Sequence, residues 1–185
     1  MNILLISCEK LSWMQDTKGT IPVPLIYLAA VLRQSGFNPT ILDLSITAME
    51  SNNAPKKDSF TIIDDHIRQN DPGLIGFNCF VSQHLPFIIE AARHIRKTTP
   101  DIHITVGGAH PTLFAEDILN NCPEIDSVIL GEGEMQIAAL AAAIEKRRLS
   151  DMESIQAIAY RVNNKVISNP RRNYVTDLDM LPAAA

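Results

Sequence analysis

Five short apolar runs recur along the chain, separated by amphipathic stretches: Asn2–Ser7, Pro39–Leu44, Leu74–Asn78, Ile102–Gly108 and Ser127–Gly131. Most are continuous rather than alternating, the pattern of strands covered on both faces in a parallel sheet. The stretches between them carry a helical period. In the first, Leu25, Leu28, Ala29 and Leu32 share one face, Pro24 sits where a first helical turn tolerates it, and Gly36 marks the end. In the second, Asp58 or Ser59 caps a helix carrying Ile62, Ile63 and Ile67, and Asp71-Pro72-Gly73 stops it. A third groups Ile88, Ala91, Ala92 and Ile95 before Pro100. A shorter helix is expected over Phe114–Asn121. The last starts at Glu134 and ends in Lys146-Arg147-Arg148, a charge order that suits the helix dipole.

Strand and helix thus alternate through five units. Right-handed parallel crossovers fold such a chain into a doubly wound α/β sheet. Five parallel strands in the Rossmann-like, flavodoxin-like order 2-1-3-4-5 are the economical arrangement. After Arg148 the pattern changes. The run "AIAYRVNNKVISNP" reads as a β-hairpin turning at Asn163-Asn164, and the tail beyond it has no period. The expected organisation is a ligand-binding unit over 1–150, a hairpin extension over 151–170 and a linker over 171–185. Residues 49–59, "MESNNAPKKDS", read as a mobile surface loop.

In an open α/β sheet, ligands bind beyond the carboxyl ends of the strands, where strand order reverses. Here that point lies between strands one and three, so the loops Cys8–Thr20 and Cys79–His84 are the first candidates. The former is long for a strand-to-helix connection, where about 2–6 residues are usual. Strand three runs into polar Asn78, Ser82 and Gln83 interleaved with Phe80 and Val81. Strand four ends in "VGGAHPT" and strand five in "GEGE". Small residues at these turns fit something large lying against the backbone. Gly107-Gly108 serves either a tight strand exit or close ligand approach. Glu132 and Glu134 would repel a phosphate, but they can accept hydrogen bonds from hydroxyls or amides. Glu134 equally suits the first turn of a helix. Trp13 either stacks on a planar ligand or pins its loop.

Other chemistries are disfavoured. No G-x-G-x-x-G or G-x-x-x-x-G-K-[ST] pattern follows a strand, which argues against dinucleotide and nucleoside-triphosphate cradles. A net charge of −5 without a Lys/Arg cluster argues against nucleic acid. No apolar run nears the roughly 20 residues of a membrane span. The first residues read as a buried strand rather than a secretory leader. Three widely spaced cysteines make neither a disulfide framework nor a zinc motif, and they point to reduced thiols in the cytoplasm. Cys8 and Cys79 end the strands that flank the switch point and suit apolar packing. Among the histidines, His66 and His94 fall on helices as solvated groups, and His103 falls at the amino end of strand four. His84 and His110 fall on the rim, His110 being the better functional candidate. No second ligand stands at metal-binding spacing, so no metal site is expected.

In order, "PVPLIYLAAVLRQSGFNPTILDL", "IGFNCFVSQ", "AARHIRKTTPDIHITVGGAHPT", "IDSVILGEGE" and "YVTDLDMLP" resemble the N-terminal cobalamin-binding domain of cobalamin-dependent radical S-adenosylmethionine enzymes. That family includes methyltransferases and the oxidative cyclase of anaerobic chlorophyll synthesis. The likeness runs over nearly the whole chain. It implies a Rossmann-like domain holding cobalamin, with the nucleotide tail of the cofactor inserted beside the sheet. Carried over by position, three sets of residues would meet the tail and the corrin amides. They are Asn78, Cys79, Phe80, Val81 and Ser82; then Gly107, Gly108, His110, Pro111 and Thr112; then Gly131, Glu132, Gly133 and Glu134. The Cys8–Thr20 loop, with Ser12 and Trp13, would approach the corrin.

Two departures refine this expectation. The Asp-x-His-x-x-Gly signature of histidine-ligated cobalamin is not matched, because Asp101 and His103 sit at the amino end of a strand with the glycine one residue late. No histidine on cobalt is therefore expected. The C-x-x-x-C-x-x-C motif of the family's catalytic half is also absent from this sequence; that half carries a [4Fe-4S] cluster and cleaves S-adenosylmethionine. The chain is thus expected to orient cobalamin for methyl or radical transfer without being catalytic itself. Its expected partner is a downstream radical S-adenosylmethionine domain of the same polypeptide. The alternative is a stand-alone, non-enzymatic binder or sensor of cobalamin, flavin or nucleotide. A receiver domain is disfavoured, since Asn78 stands where its phospho-acceptor Asp would be.

Overall fold

The computed structural model describes residues 1–8, 21–47, 58–172 and 181–183. They form a seven-stranded sheet in the order β2-β1-β3-β4-β5-β6-β7. β1 (Asn2–Ser7), β2 (Asn38–Asp43), β3 (Leu74–Asn78), β4 (His103–Gly107) and β5 (Ser127–Ile129) run parallel, in the expected order 2-1-3-4-5. β6 (Ile158–Val162) and β7 (Lys165–Asn169) are the expected hairpin. It is not detached: β6 pairs antiparallel with β5 and lengthens the sheet. Asn163 and Asn164 both take positive φ, as the favoured two-residue hairpin turn requires.

The helices are α1 (Val23–Gln34), α2 (Leu44–Thr47), α3 (Ser59–Asn70), α4 (Leu85–Thr98), α5 (Ala109–Asn121) and α6 (Glu134–Glu145). Alternation along β1 divides them between two faces. Ile3 and Leu5 pack with Leu25 and Leu32 of α1 and with Ile137 and Leu140 of α6. Leu4 and Ile6 pack into the opposite core with Ile63 of α3, Ile88 and Ile95 of α4 and Ile118 of α5. The crossover from β1 to β2 therefore uses one face and that from β2 to β3 the other. The rim parts between β1 and β3, the switch point inferred from the strand order.

Local details follow from side-chain chemistry. Asp58, not Ser59, is the α3 cap; its carboxylate accepts from the backbone N–H groups of Phe60 and Thr61, both at 3.0 Å. α5 starts at Ala109, ahead of the expected Phe114, because Pro111 falls in its first turn, where a missing N–H costs nothing. A break at Phe114 (φ −122°, ψ 27°) separates that turn from the stretch expected to be helical. Beyond Cys8, the loop expected to approach a ligand lies outside the described residues, and with it Ser12 and Trp13. So do residues 48–57 of the expected surface loop. Among the described residues no helix is long and apolar enough to cross a membrane.

Ile75 is fully buried at the centre of the sheet. Ile75→Ala should lower stability by about 2–5 kcal/mol. The check is a fall in the urea midpoint at unchanged slope.

Candidate functional site

A cavity of about 620 Å³ opens at the carboxyl rim and runs along the face of the sheet covered by α1 and α6. Small-molecule sites commonly occupy about 300–1,000 Å³. Leu5, Gly76 and Thr105 line it, and they are register neighbours across β1, β3 and β4. Ile129 of β5, Leu25 and Leu28 of α1 and Ile137 of α6 add to the apolar lining. Gly76 lies on the cavity floor. A Cβ there would sit 3.0 Å from Leu5 Cδ2 and 3.7 Å from Thr105 Cγ2, so these side chains close over the glycine and a larger residue would crowd the floor.

Apart from Thr105, the polar side chains gather towards the rim: Asn78 at the end of β3, Thr112 in α5, and Glu132 and Glu134 after β5. The two glycines after β4 separate in role. Gly108 has φ 125°, and a Cβ on it would lie 2.3 Å from the Cys79 carbonyl oxygen. That position is a close backbone crossing between the β3 and β4 exits. Gly107 is different: its nearest hypothetical contact is 3.8 Å from Ile129, and the residue itself lines the cavity. Thr112 joins two turns. Its hydroxyl donates to the Gly108 carbonyl at 2.7 Å and accepts from the Gly131 N–H at 2.8 Å.

Of the residues singled out in the sequence, the cavity wall brings together Asn78, Phe80, Gly107, Gly108, Thr112, Gly131, Glu132, Gly133 and Glu134. Five others stand off the wall. Cys79 is buried in the core, its Sγ 3.4 Å from the Val81 carbonyl, and burial pushes its thiol up to about 11. Pro111 is buried in the first turn of α5. Ser82 Oγ lies 3.0 Å from His110 Nδ1, and the imidazole stacks on Phe114 at 4.6 Å between centroids. This pair bridges the β3 and β4 exits beside the mouth, and Val81 directly precedes the short 3-10 turn Ser82–His84.

The deep lining from Leu5, Leu25, Thr105, Ile129 and Ile137 was not foreseen. These residues read as ordinary core in the sequence. Gly76, a lone glycine inside an apolar strand, was the available signal for close approach.

The histidines need one correction. His94 is not a solvated helix group: its Nε2 lies 2.9 Å from Asp64 Oδ2, and its ring stacks on Phe60. His66 likewise keeps a buried Nδ1. His84 is buried away from the cavity wall, and desolvation lowers its pKa. His103 lies below the cavity floor, with Nε2 2.9 Å from Ser127 Oγ. Ser127 donates to Thr105 Oγ1 at 3.0 Å, and Thr105 donates to the Ser127 carbonyl at 3.2 Å. The Ser127 oxygen therefore accepts from His103 Nε2–H, because its own proton is engaged. Burial lowers the His103 pKa; nearby Arg96 acts in the same direction and Asp126 opposes them. Among the described residues no group of three or more His, Cys, Asp or Glu is placed to hold a metal ion.

Residues 18–141 match the B12 binding domain family, and the chain belongs to it. It is 29% identical over 161 residues to the anaerobic magnesium-protoporphyrin IX monomethyl ester cyclase of Synechocystis sp., covering 86% of this chain and 30% of the cyclase. It is 27% identical over 184 residues to an uncharacterized methyltransferase of Pyrococcus horikoshii, covering 98% of this chain and 37% of that protein. The solved cobalamin-dependent S-adenosylmethionine radical enzyme OxsB, with aqua-cobalamin bound, has the same fold. That match has a TM-score of 0.70 at 18% identity, over 94% of this chain and 22% of OxsB. The chain spans about a third of the length of the curated relatives it matches. The family resemblance carried by the ordered motifs is borne out.

Two outcomes follow from the site. Gly108→Ala forces a side chain onto the Cys79 carbonyl at positive φ, and should destabilise by more than the roughly 1 kcal/mol that an unstrained glycine-to-alanine change gains. Thermal denaturation of the purified variant is the check. The depressed pKa values of His84 and His103 mean that the unfolded chain binds protons the folded chain refuses. That stability is complete above the ordinary histidine value of about 6.5 and falls as pH drops below it. Urea midpoints between pH 7.5 and 5 should decline, and His103→Gln should flatten the slope.

Proposed function

We propose that the cavity receives the nucleotide tail of cobalamin and that the carboxyl rim carries the corrin ring. The single observation that carries this reading is the slot itself. It is apolar along Leu5, Leu25, Ile129 and Ile137, the hydroxyl of deep-lying Thr105 is engaged with Ser127, and the other hydrogen-bonding side chains of the lining stand near the rim. That order of surfaces suits a flat aromatic base entering first and a ribose with hydroxyls following. Membership of the B12 binding domain family supports the same assignment.

The residues divide the task by chemistry. Gly107 and Gly133 leave backbone accessible at the wall, and Asn78 offers both a donor and acceptors at the mouth. Glu134 starts α6 and presents a carboxylate that accepts from hydroxyls or amide nitrogens. Phe80 and Leu113, 63% and 77% exposed, flank the opening and offer apolar surface for a macrocycle. Among the described residues no histidine lines the cavity, which supports binding without an imidazole from this chain on cobalt. Bound there, cobalamin supplies a cobalt centre able to carry a methyl group or take part in radical transfer. This chain contributes binding and orientation. The partner supplying S-adenosylmethionine chemistry and a [4Fe-4S] cluster is a radical S-adenosylmethionine domain downstream in the same polypeptide, a reading supported by relatives about three times as long.

The test is incubation with hydroxocobalamin, gel filtration and a visible spectrum of the protein fraction. Corrinoid should co-elute with the chain, without the spectrum of a histidine-ligated Co(III). Leu28→Trp, which fills the slot from α1, should abolish uptake, and Glu134→Gln should weaken it by about tenfold, the cost of a charged hydrogen bond. A colourless protein fraction from the parent chain sinks the proposal.

A further inference from the structure

Gly131, Glu132 and Gly133, the turn that follows Leu130, form one side of the cavity, and the turn is held from two directions. Thr112 takes the Gly131 N–H on one side. On the other stands Arg171, which lies beyond the doubly wound unit, two residues after β7, in the stretch the sequence assigned to a linker. Its Nη2 donates to the Leu130 carbonyl at 2.7 Å and to the Glu132 carbonyl at 2.9 Å, and its Nη1 donates to Glu132 Oε2 at 3.1 Å. The Arg171 side chain is only 15% exposed.

Gly131 is fitted to this arrangement. It takes φ 71°, and a Cβ there would fall 2.7 Å from Arg171 Nη2. The glycine thus admits the guanidinium as well as the turn. The backbone around Arg171 is itself fastened: the Arg172 N–H donates to Gln156 Oε1 at 3.0 Å, and the Pro170 carbonyl accepts from Ala157 N–H at 3.4 Å. Three acceptors on one planar fork are a geometry that an ammonium cannot reproduce. Hydrogen bonds from a charged donor are also about twice as strong as neutral ones.

We propose that Arg171 is a positioning residue for the cofactor. It holds Leu130–Glu132 in the shape that forms the cavity wall and sets the Glu132 carboxylate at that wall, so corrinoid affinity depends on the segment after β7. The inference rests on the cobalamin reading. It assigns no contact between Arg171 and the cofactor.

The test titrates the 185-residue chain with hydroxocobalamin and follows dissociation by the visible spectrum. Arg171→Met should bind about tenfold or more weakly, chiefly through faster release, with the unliganded melting temperature within about 3 °C of the parent. Arg171→Lys should recover less than half of the lost binding. Glu132→Gln should lose less than Arg171→Met, because both backbone carbonyls stay held. Parent-like affinity in Arg171→Met overturns the inference while leaving the cobalamin reading intact, and so does full rescue by Lys. A parent chain that takes up no hydroxocobalamin overturns the cobalamin reading and this inference with it. Should Arg171→Met fail to fold, a cycle of Arg171→Lys and Glu132→Gln decides. Coupling in the bound state that is absent from unliganded stability sustains the proposal, and additive effects overturn it.

Discussion

Every residue of a central parallel strand needs cover on the side it faces, and that constraint organises the molecule. β1 sends Ile3 and Leu5 to one core and Leu4 and Ile6 to the other, so neither sheet face can be left to solvent. Burying such a side chain contributes about 1.5–3 kcal/mol, which is why the helices must divide between two layers. Under α1 and α6 that cover parts along Leu5, Gly76 and Thr105. A sealed void there would be heavily destabilising, since empty core space costs about 24 cal/mol per Å³. Opening at the rim changes its character from a packing loss to a place that solvent or a ligand fills.

The rim depends on a few exchanges between neighbouring turns. Gly108 lets the β3 and β4 exits cross at backbone distance. Thr112, one turn into α5, ties Gly108 to Gly131 through a single hydroxyl. Arg171 reaches back from beyond β7 and gathers the carbonyls on the far side of that last turn. The cavity is thus lined by α1 from near the start of the described chain and braced by Arg171 from near its end. The hairpin, by pairing with β5, is what brings the second of these within reach.

Most of the fold was legible in the sequence because strands buried on both faces leave uninterrupted apolar runs, and because Asn163-Asn164 permits only a narrow set of turns. Strand edges shifted by a residue or two where polar ends such as Asn38 still pair. The start of α5 was obscured by Pro111, which interrupts a helical pattern on paper and fits a first turn in space. The site was half legible. The rim showed itself through glycines and acids gathered at the strand exits, although Gly108 and Glu134 also serve the backbone crossing and the start of α6. The slot did not, because Leu25 or Ile137 lining a cavity and Leu25 or Ile137 packed in a core have the same sequence signature. Arg171 was hidden for another reason: its partners lie some forty positions away in sequence, and only the antiparallel return of β6 and β7 brings them together.

Gly76 sets the kind of discrimination the slot can exercise. Its N–H and C=O belong to the ladders with β1 and β4 and are spent there. Where the floor is bare backbone it therefore offers shape rather than a free hydrogen-bonding group, and the Thr105 hydroxyl beside it is already engaged with Ser127.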